Sequence, residues 1–237
     1  MGRRWVKVLL IVFVILAGLF VAVDRIAVHY AEKEAVALAQ EKYGYSNSTN
    51  SSVELSIHGF PFLTQAASLE FDHVSLTAGN FSVNTTANAQ GDHLTIRRLE
   101  LELHDLAAGS ISSRRVDANL VTGRATIGYA DLSGVLSRLT DQGGALTVKQ
   151  DPTASSGGNT ATEAPLRVTG TKDGRTMETA ASISVAADEF ELRVPELAPQ
   201  PYTWRIPLPQ NINITAVRST ADGVEFELTG HQVVLGG

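Results

Sequence analysis

From Val53 to Leu228 the chain repeats one pattern: short runs with every second residue apolar, separated by turn-forming residues. Leu69 and Phe71, Leu94 and Ile96, Leu99, Leu101 and Leu103, Leu166 and Val168, and Ile183 and Val185 keep this period. So do Phe190 and Leu192, Ile212 and Ile214, and Val224, Phe226 and Leu228. A helix would scatter such residues around its circumference, whereas a strand collects them on one face. The pattern predicts a long antiparallel sheet with one apolar side. Twice the parity changes, from Phe71 to Val74 and from Ile96 to Leu99, which marks bulges that bend the sheet. A bent sheet with few helices to cover it must wrap its apolar face around something, either a helix or a ligand.

The amino terminus supplies a different signal. Arg3, Arg4 and Lys7 precede an apolar run from Val8 to Val23, and Trp5 and Val6 extend it toward the charges. As a helix, residues 5–23 cover roughly 28 Å, close to the ~30 Å hydrocarbon core of a bilayer. The basic flank places the amino terminus in the cytoplasm and residues from Asp24 onward outside. Leu19 to Val23 offers a poor small-x-small cleavage site, which favours a retained anchor over a cleaved signal peptide.

The expected organisation is therefore a membrane anchor over residues 1–23 and one exported β-rich domain over 24–237. Asp24 to Tyr43 has no Pro or Gly and sets Val28, Ala31, Ala35 and Leu38 on one stripe, which predicts a long helix closed by Gly44. A second helix is predicted over Tyr129–Leu139, with Leu132, Val135, Leu136 and Leu139 at helical spacing and Asp131 as N-cap. Leu146–Val148 and Leu166–Val168 read as hairpin partners flanking a Gly/Ser/Thr-rich flexible loop over residues 150–164. The fold class is α+β.

Several functions are excluded or unsupported. The chain has no cysteine, so thiolate metal sites, thiol catalysis and disulfides are absent. It has no Gly-x-Ser-x-Gly elbow, phosphate-cradling glycine motif or His-Glu-x-x-His, and its histidines are scattered singly. No catalytic residue, metal or cofactor is expected, and the chain is read as a non-enzyme. Without Arg3, Arg4 and Lys7, and with no acid among residues 1–23, 16 basic residues face 25 acidic ones, a net −9. Such a domain is a poor nucleic-acid binder.

The run Val53-Glu54-Leu55-Ser56-Ile57-His58-Gly59-Phe60-Pro61-Phe62-Leu63-Thr64-Gln65 begins as a strand and ends on large apolar residues around a proline. Proline cannot donate to a sheet ladder, so Pro61 ends the strand. Phe60, Phe62 and Leu63 thus stand where the strand should end in a polar turn. Near the other end of the chain, Trp204, Ile206 and Leu208 alternate with Pro207 and Pro209, which confines this segment to a sheet edge. That edge is either a rim touching the bilayer through Trp204 or an edge protected by its prolines.

The Val53–Gln65 run resembles the signature of the LmeA family of actinobacterial cell-envelope phospholipid-binding proteins. The Asp24-Arg25 helix start, Tyr129-Ala130-Asp131-Leu132, Leu208-Pro209-Gln210-Asn211-Ile212 and Gly223–His231 are similar to that family in the same order. The resemblance implies an elongated, curved sheet wrapped around a long helix, broadly like tubular lipid-binding domains, with an apolar cavity for lipid. On that reading Phe60, Pro61, Phe62, Leu63, Leu69, Phe71, Leu101, Leu103, Trp204, Ile206 and Leu208 bind lipid; the alternative is that Phe60, Phe62 and Leu63 are ordinary core residues sealing a sheet end against the helix. Together with the amino-terminal segment it points to a membrane-tethered envelope protein that binds phospholipid or a related lipid, as a carrier or chaperone, single-pass with its domain extracytoplasmic, or secreted if that segment is cleaved. The alternative class is a structural or adaptor protein of the envelope without a lipid ligand.

Overall fold

The computed structural model describes residues 2–43, 52–84, 93–109, 115–140, 146–152, 154, 162–172, 175–186, 189–197, 200–205 and 208–235. One helix, α1 (Gly2–Tyr43), runs without a break through the apolar segment and into the stretch beyond Asp24. After it come β1 (Ser52–His58), α2 (Phe62–Ser68), β2 (Glu70–Asn84), β3 (His93–Ala108), β4 (Val116–Ile127) and α3 (Tyr129–Leu139). The chain continues through β5 (Thr147–Gln150), β6 (Glu163–Lys172), β7 (Arg175–Ala186), β8 (Glu189–Arg193), β9 (Tyr202–Arg205), β10 (Ile212–Ser219) and β11 (Val224–Leu235). The class is α+β, as the period-2 runs and the two helical stripes predict.

The strands divide between two antiparallel sheets, ordered β1-β2-β3-β4-β11-β10 and β5-β6-β7-β8-β9. In the first sheet the register aligns apolar residues into rows. One row is Val53, Ala78, Leu99, Ala125, Phe226 and Val217, and the next is Leu55, Leu76, Leu101, Gly123, Leu228 and Ile214. Each row lies on the face opposite Glu54, Ser75, Glu100, Glu102 and Arg124, so the sheet is apolar on one side and polar on the other. The second sheet covers the β10–β11 side of the apolar face. Phe190 of β8 stacks on Trp204 of β9 at 5.1 Å and meets Phe226 of β11 at 5.8 Å.

Both expected parity changes are present. Between Phe71 and His73 the β2–β3 pairing skips a level at which Asp105 has φ +51°, and between Gly79 and Phe81 it skips one at which Asn80 has φ +52°. The first interruption continues across the sheet, because Asn119 of β4 lies beside Asp105 and opposite Gln232 of β11, whose φ is +50°. On one side of this line Leu103, Val121 and Leu228 are buried; on the other Leu106, Ala118 and Val233 are buried. The apolar side therefore stays the same while the strand parity flips.

α3 matches its predicted span and buries Leu132, Val135 and Leu136. Its N-cap is Gly128 rather than Asp131, which falls in the first turn, where a carboxylate favours the positive end of the helix dipole. Burial pushes the Asp131 carboxyl above its ordinary value. The predicted hairpin forms, with Val148 paired to Val168. Most of the expected flexible loop, including residues 155–161, and the expected Gly44 stop lie outside the described residues. Two elements have no counterpart in the sequence reading, namely β4 and the short helix α2.

Candidate functional site

The Val53–Gln65 run folds around a joint with α1. After β1 the chain bends at Gly59, whose φ of +104° suits glycine. It then passes a cis Phe60–Pro61 bond and enters α2, with Pro61 at the N-cap position. Pro61 has no side-chain acceptor to offer the free N–H groups of the helix start. Asp24 of α1 supplies it: its Oδ1 accepts the Leu63 backbone N–H at 2.9 Å. Asp24 is fully buried, its Oδ2 has no hydrogen-bond partner, and the Arg25 Nη2 lies 3.9 Å from it. Gln65 closes the other side of the joint. Its amide nitrogen donates to the His58 carbonyl at 3.4 Å, and its amide oxygen accepts the Asp72 N–H at 3.0 Å.

α1 also covers the exposed edge of β1. The Ile57 N–H, which faces away from β2, donates to Glu32 Oε1 at 2.9 Å. Val28 is buried, and Ala31 and Ala35 are half-buried, on the stripe expected from the sequence. A strand edge covered in this way is protected from pairing with other chains.

The two phenylalanines of the turn have opposite surroundings. Phe62 is 6 % exposed and packs near Phe71 of β2, with ring centroids 6.2 Å apart. Phe60 is 54 % exposed, and its ring meets Phe20 and Arg25 of α1. Pro61 and Leu63 are half-buried. Leu69 ends α2 in the left-handed conformation, at φ +60°, and is half-buried beside Phe71 in sequence. Leu101 and Leu103 lie on the apolar face of β3, the first half-buried and the second buried.

The remaining predicted residues belong elsewhere. Trp204 is 1 % exposed on the inner side of the second sheet, so it touches no bilayer rim; β9, which ends before Pro207 and Pro209, is a sheet edge. Leu208 is half-buried against the same core, and Ile206 lies outside the described residues.

Burial across the apolar face of the first sheet is uneven. At positions sharing that face, Val121, Ile127, Val224 and Phe226 are at most 1 % exposed, whereas on β1–β3 the buried Val53, Val74, Ala78 and Leu103 alternate with Leu55, Ile57, Leu76, Leu99 and Leu101, which are only half-buried. The second sheet lies over β10 and β11, and α3 packs against β3 and β5. The β1–β3 half forms an apolar strip between that cover and α1. The opposite face carries a shallow concavity of about 390 Å³ lined by Glu100, Glu102, Thr122, Arg124 and Glu227, a lining unsuited to acyl chains.

The sequence reading also missed a histidine stack. His58, His73 and His104 align across β1, β2 and β3 on the polar face, with successive rings stacked at 4.5 Å. His73 Nε2 donates to Glu102 Oε2 at 2.6 Å, and His58 Nε2 hydrogen-bonds the Ser75 hydroxyl at 2.8 Å. Among the described residues no group of His, Cys, Asp and Glu is placed to hold a metal ion. Only strand register reveals the stack, since each histidine stands alone in sequence.

The family model for LmeA-like phospholipid-binding proteins matches residues 22–229. The chain belongs to this family. The match begins two residues before Asp24 and runs into β11, so the joint between α1 and α2 lies inside the LmeA-like unit. No curated protein and no solved structure matches the chain. The half-buried strip of β1–β3 is apolar and the face behind it is polar.

Proposed function

We propose that this LmeA-like protein holds phospholipid tails along the half-covered strip formed by Leu55, Ile57, Leu76, Leu99 and Leu101, at the edge of the strip that α1 closes. The observation supporting this reading is a patch of half-buried apolar residues, Leu55, Ile57, Leu76, Leu99 and Leu101, on a face that is buried at Val121, Ile127, Val224 and Phe226 of β4 and β11. Phe62, Leu63, Leu69, Phe71 and Leu103 shape the closed end of the strip.

Tail burial dominates the energetics. One acyl chain of roughly 300–400 Å² contributes on the order of 8–10 kcal/mol at about 25 cal/mol per Å², before ordering costs. The domain's net negative charge offers anionic headgroups no comparable attraction. α1, which contains a stretch long and apolar enough to cross a membrane within Leu10–Ala37, serves as a retained single-pass anchor with the β-rich domain on the extracytoplasmic side. The protein then acts as a tethered lipid carrier or chaperone in envelope biogenesis, working on the membrane that anchors it.

The test is extraction and mass spectrometry of lipid from the purified full-length chain and from Leu76→Trp, which fills the strip at its centre. Phospholipid should accompany the native chain, and Leu76→Trp should lower the occupancy several-fold with an unchanged melting temperature. Equal occupancy in the two proteins refutes the strip as the binding site.

A further inference from the structure

Outside α1, Phe60 is the one large hydrophobic side chain among the described residues that is exposed. Its neighbours are unusual for an exposed residue of a β-domain. The ring stands edge-on to Phe20, with centroids 6.4 Å apart and planes at 77°, and the Arg25 guanidinium lies 5.4 Å from its centre. Phe20 belongs to the apolar segment, one helical turn, or roughly 6 Å of rise, before Asp24. A ring that touches Phe20 is held at the depth of the last turn of that segment.

The turn has little freedom to leave this position. Asp24 grips Leu63 on one side of it, and Gln65 ties α2 to both His58 and Asp72 on the other. Further along α1, Ile26 is 58 % and Tyr30 72 % exposed, extending apolar and aromatic surface past the end of the span.

Resting on the reading of α1 as a membrane span, we infer that the Gly59–Phe60–Pro61 turn is a wedge that seats the β-domain on the bilayer. Phe60 enters the extracytoplasmic leaflet beside α1, and Arg25, stacked on its outer side, meets lipid phosphate. The partner is the phospholipid surface itself. A protein covering Phe60 would also have to cover Phe20 within the apolar span, whereas lipid covers both at once. Aromatic residues favour this interfacial zone, and a guanidinium is suited to a phosphate there. Phe60 thereby contacts the leaflet, while the strip on β1–β3 receives the bound lipid.

Because the chain has no cysteine, single-cysteine variants take a nitroxide label at one chosen site. Full-length Phe20→Cys, Phe60→Cys, Thr64→Cys and Asn213→Cys are reconstituted in phosphatidylcholine–phosphatidylglycerol vesicles. Collision rates are compared for oxygen, which partitions into lipid, and a nickel chelate, which stays in water. The oxygen-to-nickel ratio at position 60 should exceed that at 213 several-fold and approach that at 20. Position 64, exposed on the first turn of α2, should read between 60 and 213 and serves if the label at 60 disturbs folding. A lipid-like reading at 20 with water-like readings at 60 and 64 overturns the wedge but leaves the anchor intact. A label at 60 shielded from both reagents identifies a protein cover and also overturns it. A water-like reading at 20 overturns the anchor, and the wedge with it.

Discussion

Phe60 and Phe62 are separated by one residue, yet truncating them should have different consequences. Phe62 is buried against Phe71 at one end of the core. Phe62→Ala removes most of an aromatic ring from a packed site, at a cost of about 3–5 kcal/mol. In a domain of this size each kcal/mol lowers the melting temperature by roughly 2–4 °C, so the expected drop is roughly 6–20 °C. More than half of the Phe60 side chain is exposed, and its ring contacts are with Phe20 and Arg25 of α1. Phe60→Ala should therefore cost about 1 kcal/mol or less, a shift of no more than a few degrees. Phe226→Ala, in the interior far from the turn, provides the scale for a simple core truncation. Thermal unfolding followed by circular dichroism, with uptake of a fluorescent phospholipid measured on the same samples, separates the effects. Phe62→Ala and Phe226→Ala should lose stability with or without lipid, and Phe60→Ala should keep it. Comparable destabilisation by Phe60→Ala and Phe62→Ala would show that the two rings occupy equivalent packed sites, contrary to the structure.

Asp24→Ala should destabilise the chain by about 1–2 kcal/mol in thermal unfolding, as expected for a lost helix cap, while Asp24→Asn, which keeps an acceptor for Leu63, should cost less. Tyr129 donates its hydroxyl proton to the Thr220 carbonyl and accepts from Ser219, and burial raises its pKa above the ordinary 10.0. Since the folded value lies above the unfolded one, its contribution is complete below about pH 10 and fades as pH rises through the folded value. Tyr129→Phe should therefore flatten the alkaline decline in melting temperature. Phospholipid uptake driven by tails should change little between low salt and about 0.5 M salt, where the Debye length is roughly 4 Å; loss of most uptake would point to an ionic headgroup site.

The alternation that reads plainly in the sequence belongs to strands whose inward residues are large. Phe190, Leu192, Ile212, Ile214, Phe226 and Leu228 all fall where period 2 puts them. β4 escapes the same reading because Ala118, Gly123 and Ala125 fill inward positions and the parity changes around Asn119. Small residues are needed there: a Cβ on Gly123 would stand 2.5 Å from the Glu100 carbonyl oxygen and from a Leu101 methyl group. α2 is invisible for another reason. It is seven residues long, its N-cap is a proline, and its capping acceptor lies 39 residues away on α1. The division into two sheets is hidden because strands of either sheet show the same period. Trp204 illustrates the limit, since an alternating Trp on an edge strand fits a rim or an interior equally well until Phe190 is stacked on it.

The position of Asp24 ties these features together. It follows immediately on the apolar segment, yet it is fully buried, and its partner is the backbone of a helix in the β-domain. Because α1 has no break between Val23 and Asp24, the segment and the domain share one rigid element. Two further contacts fix the rotation of α1 about its axis: Glu32, two turns beyond Asp24, holds the Ile57 N–H, and Phe20, one turn before it, meets Phe60. Three attachments on one side of a helix over about three turns leave no flexible linker around which the domain can swing. With residues 5–23 in a bilayer, the height and facing of the β1 edge then follow from the helix alone. On the proposed reading, a lipid leaving the leaflet beside α1 would meet Phe60 before the half-buried strip.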